Sequence, residues 1–254
     1  MSDGIGPLFS LQGRTALVTG GSRGIGRALA VGLAAAGADV VLTSRGEVAE
    51  TAAEIATLDR RVDIVDVDLS DVDSVRDTAG ALVAERQIDI LVNNAGVIDR
   101  NEALSITPEG WRGVLKVNVE ALFFLTQAIA APMLDRRAGK VINLASLLSF
   151  EGGLNVASYA ASKHAVAGVT RALANEWAGR GVQVNAIAPG YIATEFTEPL
   201  RLEPVREAEI RQRIPAGRWG TPRDLVGAAV FLASGASDYV NGHVLVVDGG
   251  WTAR

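Results

Sequence analysis

The sequence contains no cysteine and only two histidines, His164 and His243. The first absence excludes disulfides, cysteine-bound zinc and thiol catalysis, and leaves the redox compartment open. Two histidines so far apart form no metal-ligand spacing, so no metal site is expected. Lysine is scarce as well: of 24 basic residues only Lys116, Lys140 and Lys163 are lysines. No basic run occurs, and the formal net charge is -5, which argues against nucleic acid or an anionic membrane as a partner. The most apolar stretch, residues 121–134, is too short and too polar to read as a bilayer span. The opening residues MSDGIGPLFS show neither a basic n-region nor an apolar h-region, and a cytoplasmic location is expected.

What is present is the composition of a compact α/β domain, with 48% hydrophobic and 21% charged residues over 254 positions. Short β-branched runs alternate with alanine-rich helical stretches. RTALVTG (14–20), GIGRALAVGLAAAG (24–37) and ADVVLTS (38–44) open the series, and 61–67, 88–92, 139–145, 182–188 and 243–248 continue it. The strand runs are almost continuously apolar, as in a parallel sheet covered on both faces. One doubly wound, seven-stranded domain over residues 1–254 is expected. Residues 190–221 form a charged excursion longer than a connection requires, the expected place for a substrate lid.

TGGSRGIG (19–26) joins the first strand to the first helix, where backbone N–H groups can face a pyrophosphate. Gly20 suits the tight turn, Gly24 lets phosphate approach, and Gly26 lets helix and strand pack. Ser22, Arg23 and Ile25 share the turn and are expected beside the nucleotide. An acidic residue at the end of the second strand would signal NAD. Ser44 and Arg45 stand there instead, and with Arg23 they suit a 2′-phosphate. NADP(H) is therefore expected, with NAD(H) the open alternative.

Tyr159 and Lys163 lie four apart in a helical run, so they share a face. An ammonium beside a phenol, whose ordinary pKa is about 10, is expected to favour phenolate, and oxidised nicotinamide would favour it further. Ser146 ends the strand 139–145, and in a parallel sheet that end faces the ligand crevice. It is placed to donate a hydrogen bond to a substrate oxygen.

Taken in order, TGGSRGIG, NNAG (93–96), VNV with Asn118, Ser146, YAASK (159–163), PGYIAT (189–194) and VDGGW (247–251) resemble a classical short-chain dehydrogenase/reductase over nearly the whole chain. The resemblance implies a Rossmann-type domain, usually tetrameric, that moves hydride between nicotinamide and a carbonyl or alcohol. It implies Tyr159 as general acid/base, Ser146 orienting the substrate oxygen, Lys163 lowering the tyrosine pKa while binding the nicotinamide ribose, and Asn118 holding a relay water. It also implies that Asp68 and Leu69 border the adenine. Asn94, Ala95 and Gly96 would line the cofactor channel, and Pro189, Gly190, Ile192 and Thr194 the carboxamide end.

Runs in the carboxyl-terminal half, among them ASLLSFEGG (145–153), RIPAGRWGTP (213–222) and FLASGASDYVNGHVLVVDGGW (231–251), resemble dehydrogenases acting at C5 of 2-dehydro-3-deoxy-D-gluconate or gluconate. That group is commonly associated with NAD, which keeps the cofactor choice open. A sugar acid needs a cation for its carboxylate, and Arg100, Arg201, Arg211, Arg213 and Arg218 are the candidates. A 3-oxoacyl carrier-protein reductase shares the same catalytic motifs and is the alternative enzyme. The alternative outside catalysis is a nucleotide-binding regulator, against which the complete Ser146, Tyr159 and Lys163 set stands.

Overall fold

The structure, a computed structural model, describes residues 4–43 and 48–254. Seven strands form one sheet: β1 (Thr15–Thr19), β2 (Asp39–Thr43), β3 (Val62–Val65), β4 (Ile90–Asn93), β5 (Gly139–Leu144), β6 (Val182–Pro189) and β7 (Val244–Val247). Their order is β3-β2-β1-β4-β5-β6-β7, and every pairing is parallel. All seven expected strands are present; β4 and β6 each run one residue past the expected end, to Asn93 and Pro189, and the other five lie within their runs. The winding reverses between β1 and β4, so the crevice that accepts ligands in such sheets opens above the carboxyl ends of those two strands.

The larger helices are α1 (Gly24–Ala35), α2 (Ala49–Ala56), α3 (Val72–Glu85), α4 (Pro108–Leu115), α5 (Leu122–Asp135), α6 (Ala157–Trp177), α7 (Glu198–Arg201), α8 (Pro204–Arg213) and α9 (Val226–Ala233). Strand residues alternate between two apolar layers because successive side chains leave a strand on opposite sides. Ala16, Val18, Val40 and Leu42 face Leu29 and Leu33 of α1, Ile55 of α2 and Leu232 of α9. Leu17, Val41, Leu91 and Val141 face Val75 of α3, Ile129 of α5 and Leu173 of α6. Both faces are covered, which is why the strand sequences carry no polar alternation.

Helices α4 and α5 are one continuous rod, Pro108–Asp135, joined by a π-helical segment over Lys116–Ala121. By length and composition this rod could cross a membrane, longer than the apolar run 121–134 suggests, but half of its most apolar window is buried in the core.

Residues 190–221 are not an irregular loop. They hold a 3-10 turn at Glu195–Thr197, then α7 and α8. Ile192 and Gly220 form a parallel bridge at the base, sealed by Ala193 N–H to the Gly220 carbonyl at 2.8 Å and Gly220 N–H to the Tyr191 carbonyl at 2.9 Å.

Candidate active site

The carboxyl ends of the strands open into a cleft of about 1750 Å³ that runs from the glycine-rich turn, past Ser146 and Tyr159, to helix α8. Gly20, Ser22, Arg23, Gly24, Ile25, Gly26, Leu69, Asn94, Ala95, Gly96, Pro189, Gly190, Ile192 and Thr194 line it with Ser146, Tyr159 and Lys163. The structure thus brings together most of the residues picked from sequence. Asp68 is not among the lining residues; its Oδ1 accepts from the Ser70 N–H at 2.8 Å and hydroxyl at 2.7 Å, while Val67 and Leu69 on either side face the cleft. Ser44 and Arg45 lie outside the described residues.

At the nucleotide end, Arg23 precedes α1 in an extended conformation, and no side chain caps the helix. The first-turn amides are left for an anion. Gly24 has φ +56°, and a Cβ on Gly26 would stand 2.1 Å from the Gly20 carbonyl oxygen. A diphosphate fits this turn because its glycines bring backbone, with no Cβ, to the cleft surface. The Arg23 guanidinium pairs with Glu195 of the excursion, across the cleft.

At the chemical centre, β5 ends at Leu144 and the chain turns at Ser146 into a 3-10 turn, Leu147–Ser149. The Ser146 hydroxyl accepts from the Leu148 N–H at 3.2 Å and stands beside the Tyr159 hydroxyl, where it acts to favour phenolate. Ser149 fastens this turn to α6. Its hydroxyl accepts from the Ser146 N–H at 3.3 Å and donates to the Lys163 carbonyl at 2.7 Å. Tyr159 sits in the first turn of α6, and Lys163 lies one turn on. The Lys163 ammonium donates to the Leu144 carbonyl at 2.6 Å and stands 5.5 Å from the centre of the Tyr159 ring.

One electrostatic expectation needs correcting. Burial pushes the Tyr159 phenol up to about 12, opposed by the Ser146 hydroxyl and then by the charge of Arg100. Burial alone brings the Lys163 ammonium down to about 8, so it stays charged at pH 7, but its presence beside the ring does not make up for the phenol's own burial. In the protein by itself both groups are driven toward their neutral forms, because desolvation penalises either charge.

Asn118 lies in the π-helical segment, a distortion that often marks functional sites. It is 1% exposed and does not line the cleft. Its Oδ1 accepts from the Val97 N–H at 2.8 Å, and its amide donates to the Val97 carbonyl at 2.9 Å and the Ser162 hydroxyl at 3.0 Å. Both amide protons are spent, so the side chain clamps the loop after β4 to α6 and has no donor left for a relay water.

Of the arginines considered for a substrate carboxylate, only Arg100 and Arg213 reach the cleft. Arg100 donates to the Phe196 carbonyl at 3.2 Å, and the Phe196 ring packs 5.8 Å from that of Tyr159. Arg201 donates to the Thr194 carbonyl, Arg211 pairs with Glu207, and Arg218 makes a forked pair with Asp224 at 2.8 and 3.0 Å. Sequence reasoning missed Ser149, Ser162, Tyr191 and Arg206. Only Arg206 carried a signal: its seven-residue spacing to Arg213 puts both on one face of α8. Among the described residues no group of three His, Cys, Asp or Glu side chains is placed to hold a metal ion.

A glycine-turn nucleotide cradle beside a serine, tyrosine and lysine at a strand end defines a Rossmann-type oxidoreductase. A family model described as enoyl-(acyl carrier protein) reductase matches residues 20–252. The chain is 54% identical to a 2-dehydro-3-deoxy-D-gluconate 5-dehydrogenase of Bacillus subtilis, over 97% of each chain. A Beutenbergia cavernae crystal structure, assigned as an NAD(P)-dependent gluconate 5-dehydrogenase with NADP bound at low occupancy, is 54% identical with a TM-score of 0.96, covering 97% of this chain and 100% of that one. A Burkholderia cenocepacia gluconate 5-dehydrogenase in complex with NADP and tartrate is 40% identical with a TM-score of 0.95, covering 99% and 100%. The chain belongs to the short-chain dehydrogenase/reductase family.

Proposed function

We propose that the protein is an NADP(H)-dependent oxidoreductase that interconverts hydroxyl and ketone at C5 of a six-carbon sugar acid of the 2-dehydro-3-deoxy-D-gluconate or gluconate type. The observation that carries the reading is one uninterrupted cleft that holds a phosphate cradle, a Ser146–Tyr159 pair and a roof with arginines. The names of its relatives support the same substrate class.

When bound, the nicotinamide ring accepts or gives the hydride at C5. In oxidation Tyr159 takes the hydroxyl proton as the C–H bond breaks; in reduction it returns that proton to the carbonyl oxygen. Ser146, fixed by its turn, holds the reacting oxygen, so the tyrosine and the serine converge on one atom. Lys163 binds the ribose hydroxyls while anchored to the Leu144 carbonyl. With oxidised nicotinamide beside it, the tyrosine gains the positive charge that offsets its burial. Asn118 keeps the Val97 loop and α6 in register. Arg23 and Arg45 take the 2′-phosphate, and the bound NADP in two relatives supports that choice. Residues 190–221 close over the substrate. The working form is a cytoplasmic homotetramer, a reading supported by family kinship and by β7, an apolar edge strand that is only partly buried.

The test is kcat/KM for gluconate, 2-dehydro-3-deoxy-D-gluconate and 3-oxoacyl thioesters, each with both cofactor pairs in the direction its oxidation state permits. Turnover of a sugar acid with NADP(H) is expected. Turnover of thioesters alone would transfer the protein to the acyl reductases, and a strong preference for NAD(H) would overturn the cofactor assignment.

A further inference from the structure

Helix α8 packs directly over the catalytic turn, because its Ile210 and the following Ile214 share an apolar cluster with Leu147, the neighbour of Ser146, and with Trp251. Whatever α8 presents to the cleft therefore meets the part of a substrate that projects away from the reacting carbon. It presents Arg206 and Arg213, two turns apart. The two are held differently. Arg213 is committed: its guanidinium lies 3.8 Å from the centre of the Trp251 ring and 3.9 Å from Glu151, which also accepts from the Trp251 indole. Arg206 spends a single donor on Glu209, at 3.0 Å. A guanidinium has five donors in a rigid fork, so most of that fork remains for a ligand.

Tyr191 stands beneath the helix, with its ring 5.4 Å from Trp219 and 4.6 Å from Trp251. It lines the same cleft, and among the described residues its hydroxyl has no hydrogen-bond partner. The charges that act on this hydroxyl are Arg206, Arg213 and Arg100 against the single carboxylate of Glu151. Burial holds the phenol above its ordinary value, which keeps it a neutral donor. With Arg206 paired to Glu209 and Arg213 near Glu151, two guanidiniums still bring unused donors to a neutral hydroxyl donor, which suits an acceptor that carries negative charge.

We infer that the Arg206 guanidinium and the Tyr191 hydroxyl form the subsite for the substrate's C1 carboxylate, with Arg213 the fixed second charge that makes this end of the cleft select acids over neutral polyols. The inference rests on the sugar-acid reading above and says which residues enforce it. Arg100 stands at the other side of the cleft, bonded to the Phe196 carbonyl where the Phe196 ring packs on Tyr159, and is assigned to the reacting end.

The experiment compares gluconate with glucitol, which has a hydroxymethyl group in place of the carboxylate, in the parent, Arg206→Met, Arg206→Lys and Tyr191→Phe. Loss of a charge-assisted pair is expected to raise KM for gluconate about ten- to a hundredfold in Arg206→Met. Kcat should stay within about threefold, kcat/KM for glucitol and the Kd of NADPH should not change, and Arg206→Lys should recover part of the loss. Tyr191→Phe should raise KM for gluconate about three- to tenfold. Arg206 is half exposed, so the variants are expected to fold. A parent active on gluconate whose Arg206→Met variant keeps its KM, or loses gluconate and glucitol equally, overturns the inference and leaves the functional reading intact. A parent that turns over thioesters and no sugar acid overturns the functional reading, and the subsite with it.

Discussion

The floor of the cleft and its roof are made of different materials. On the floor, Ser149, Ser162, Asn118 and Lys163 are each less than 10% exposed, and each bonds to a backbone carbonyl or a second buried side chain. In the roof, residues 190–221 are held by the apolar contacts of Ile210 and Ile214, by ion pairs such as Arg211–Glu207 and Arg218–Asp224, and by aromatic rings, with few buried polar bonds. Buried hydrogen bonds fix geometry closely, because a lost partner leaves a desolvated group unsatisfied. Exposed ion pairs fix little. The reacting groups thus stand on the part of the molecule held by buried hydrogen bonds.

The sharpest way to break this comparison is Tyr159→Phe. If the floor carries the proton step, kcat falls by about 10²–10⁴ while the melting temperature stays that of the parent. A variant with parental turnover would remove the acid/base assignment.

Next is Lys163→Met. Burial takes the lysine from 10.5 to about 8, so keeping it charged at pH 7 costs the fold about 3 kcal/mol. The lost bond to the Leu144 carbonyl offsets about 1–2 kcal/mol of the relief. The variant should be inactive yet about 1–2 kcal/mol more stable at pH 7 in denaturant titrations. Unfolded chains hold the lysine proton up to about 10.5 and the folded chain only to about 8, so parental stability rises across that window and the gap closes. A variant less stable than the parent at pH 7 would show that the buried ammonium is not a burden.

Ser149→Ala should lower kcat about tenfold with KM little changed, since it frees the Ser146 turn from α6 without touching substrate. An unchanged kcat would mean that the turn holds its shape unaided. The smallest effect is expected in the roof. Asp224→Ala removes half of a capping box with Thr221 and should cost about 1 kcal/mol, read by thermal melting, with kcat unaffected. The Arg218 guanidinium and the Thr221 N–H hold the Asp224 carboxyl well below the usual carboxylate range. Its contribution is therefore present above about pH 4 and disappears as the pH falls further, so parent and variant should converge in acid.

The strands, the glycine turn and the Ser146, Tyr159 and Lys163 set were legible in the sequence because each is a local pattern: an apolar run, a turn, a helical spacing. What escaped was polar pairing over distance. Asn118 reaches Val97 and Ser162, 21 and 44 residues away, and Ser149 reaches Lys163, 14 away. No periodicity marks such partners; they exist only once the sheet has brought α6 beside the loop after β4. The charges on Tyr159 and Lys163 were misjudged for a related reason: spacing shows that a cation is near, whereas burial, which outweighs it, is set by everything packed around the pair. Arg206 escaped because one arginine among many on a charged helix looks like a solvated face.

The bridge between Ile192 and Gly220 has a consequence for how such a protein diversifies. Because the chain leaves and re-enters the main body at two adjoining backbone posts, the interval between them behaves as an exchangeable cassette. Beyond Ile192, Thr194 and Glu195, which line the cleft, the interval can change in length and content while the strands below keep their pairing, so a new substrate can be acquired by rewriting its helical part alone.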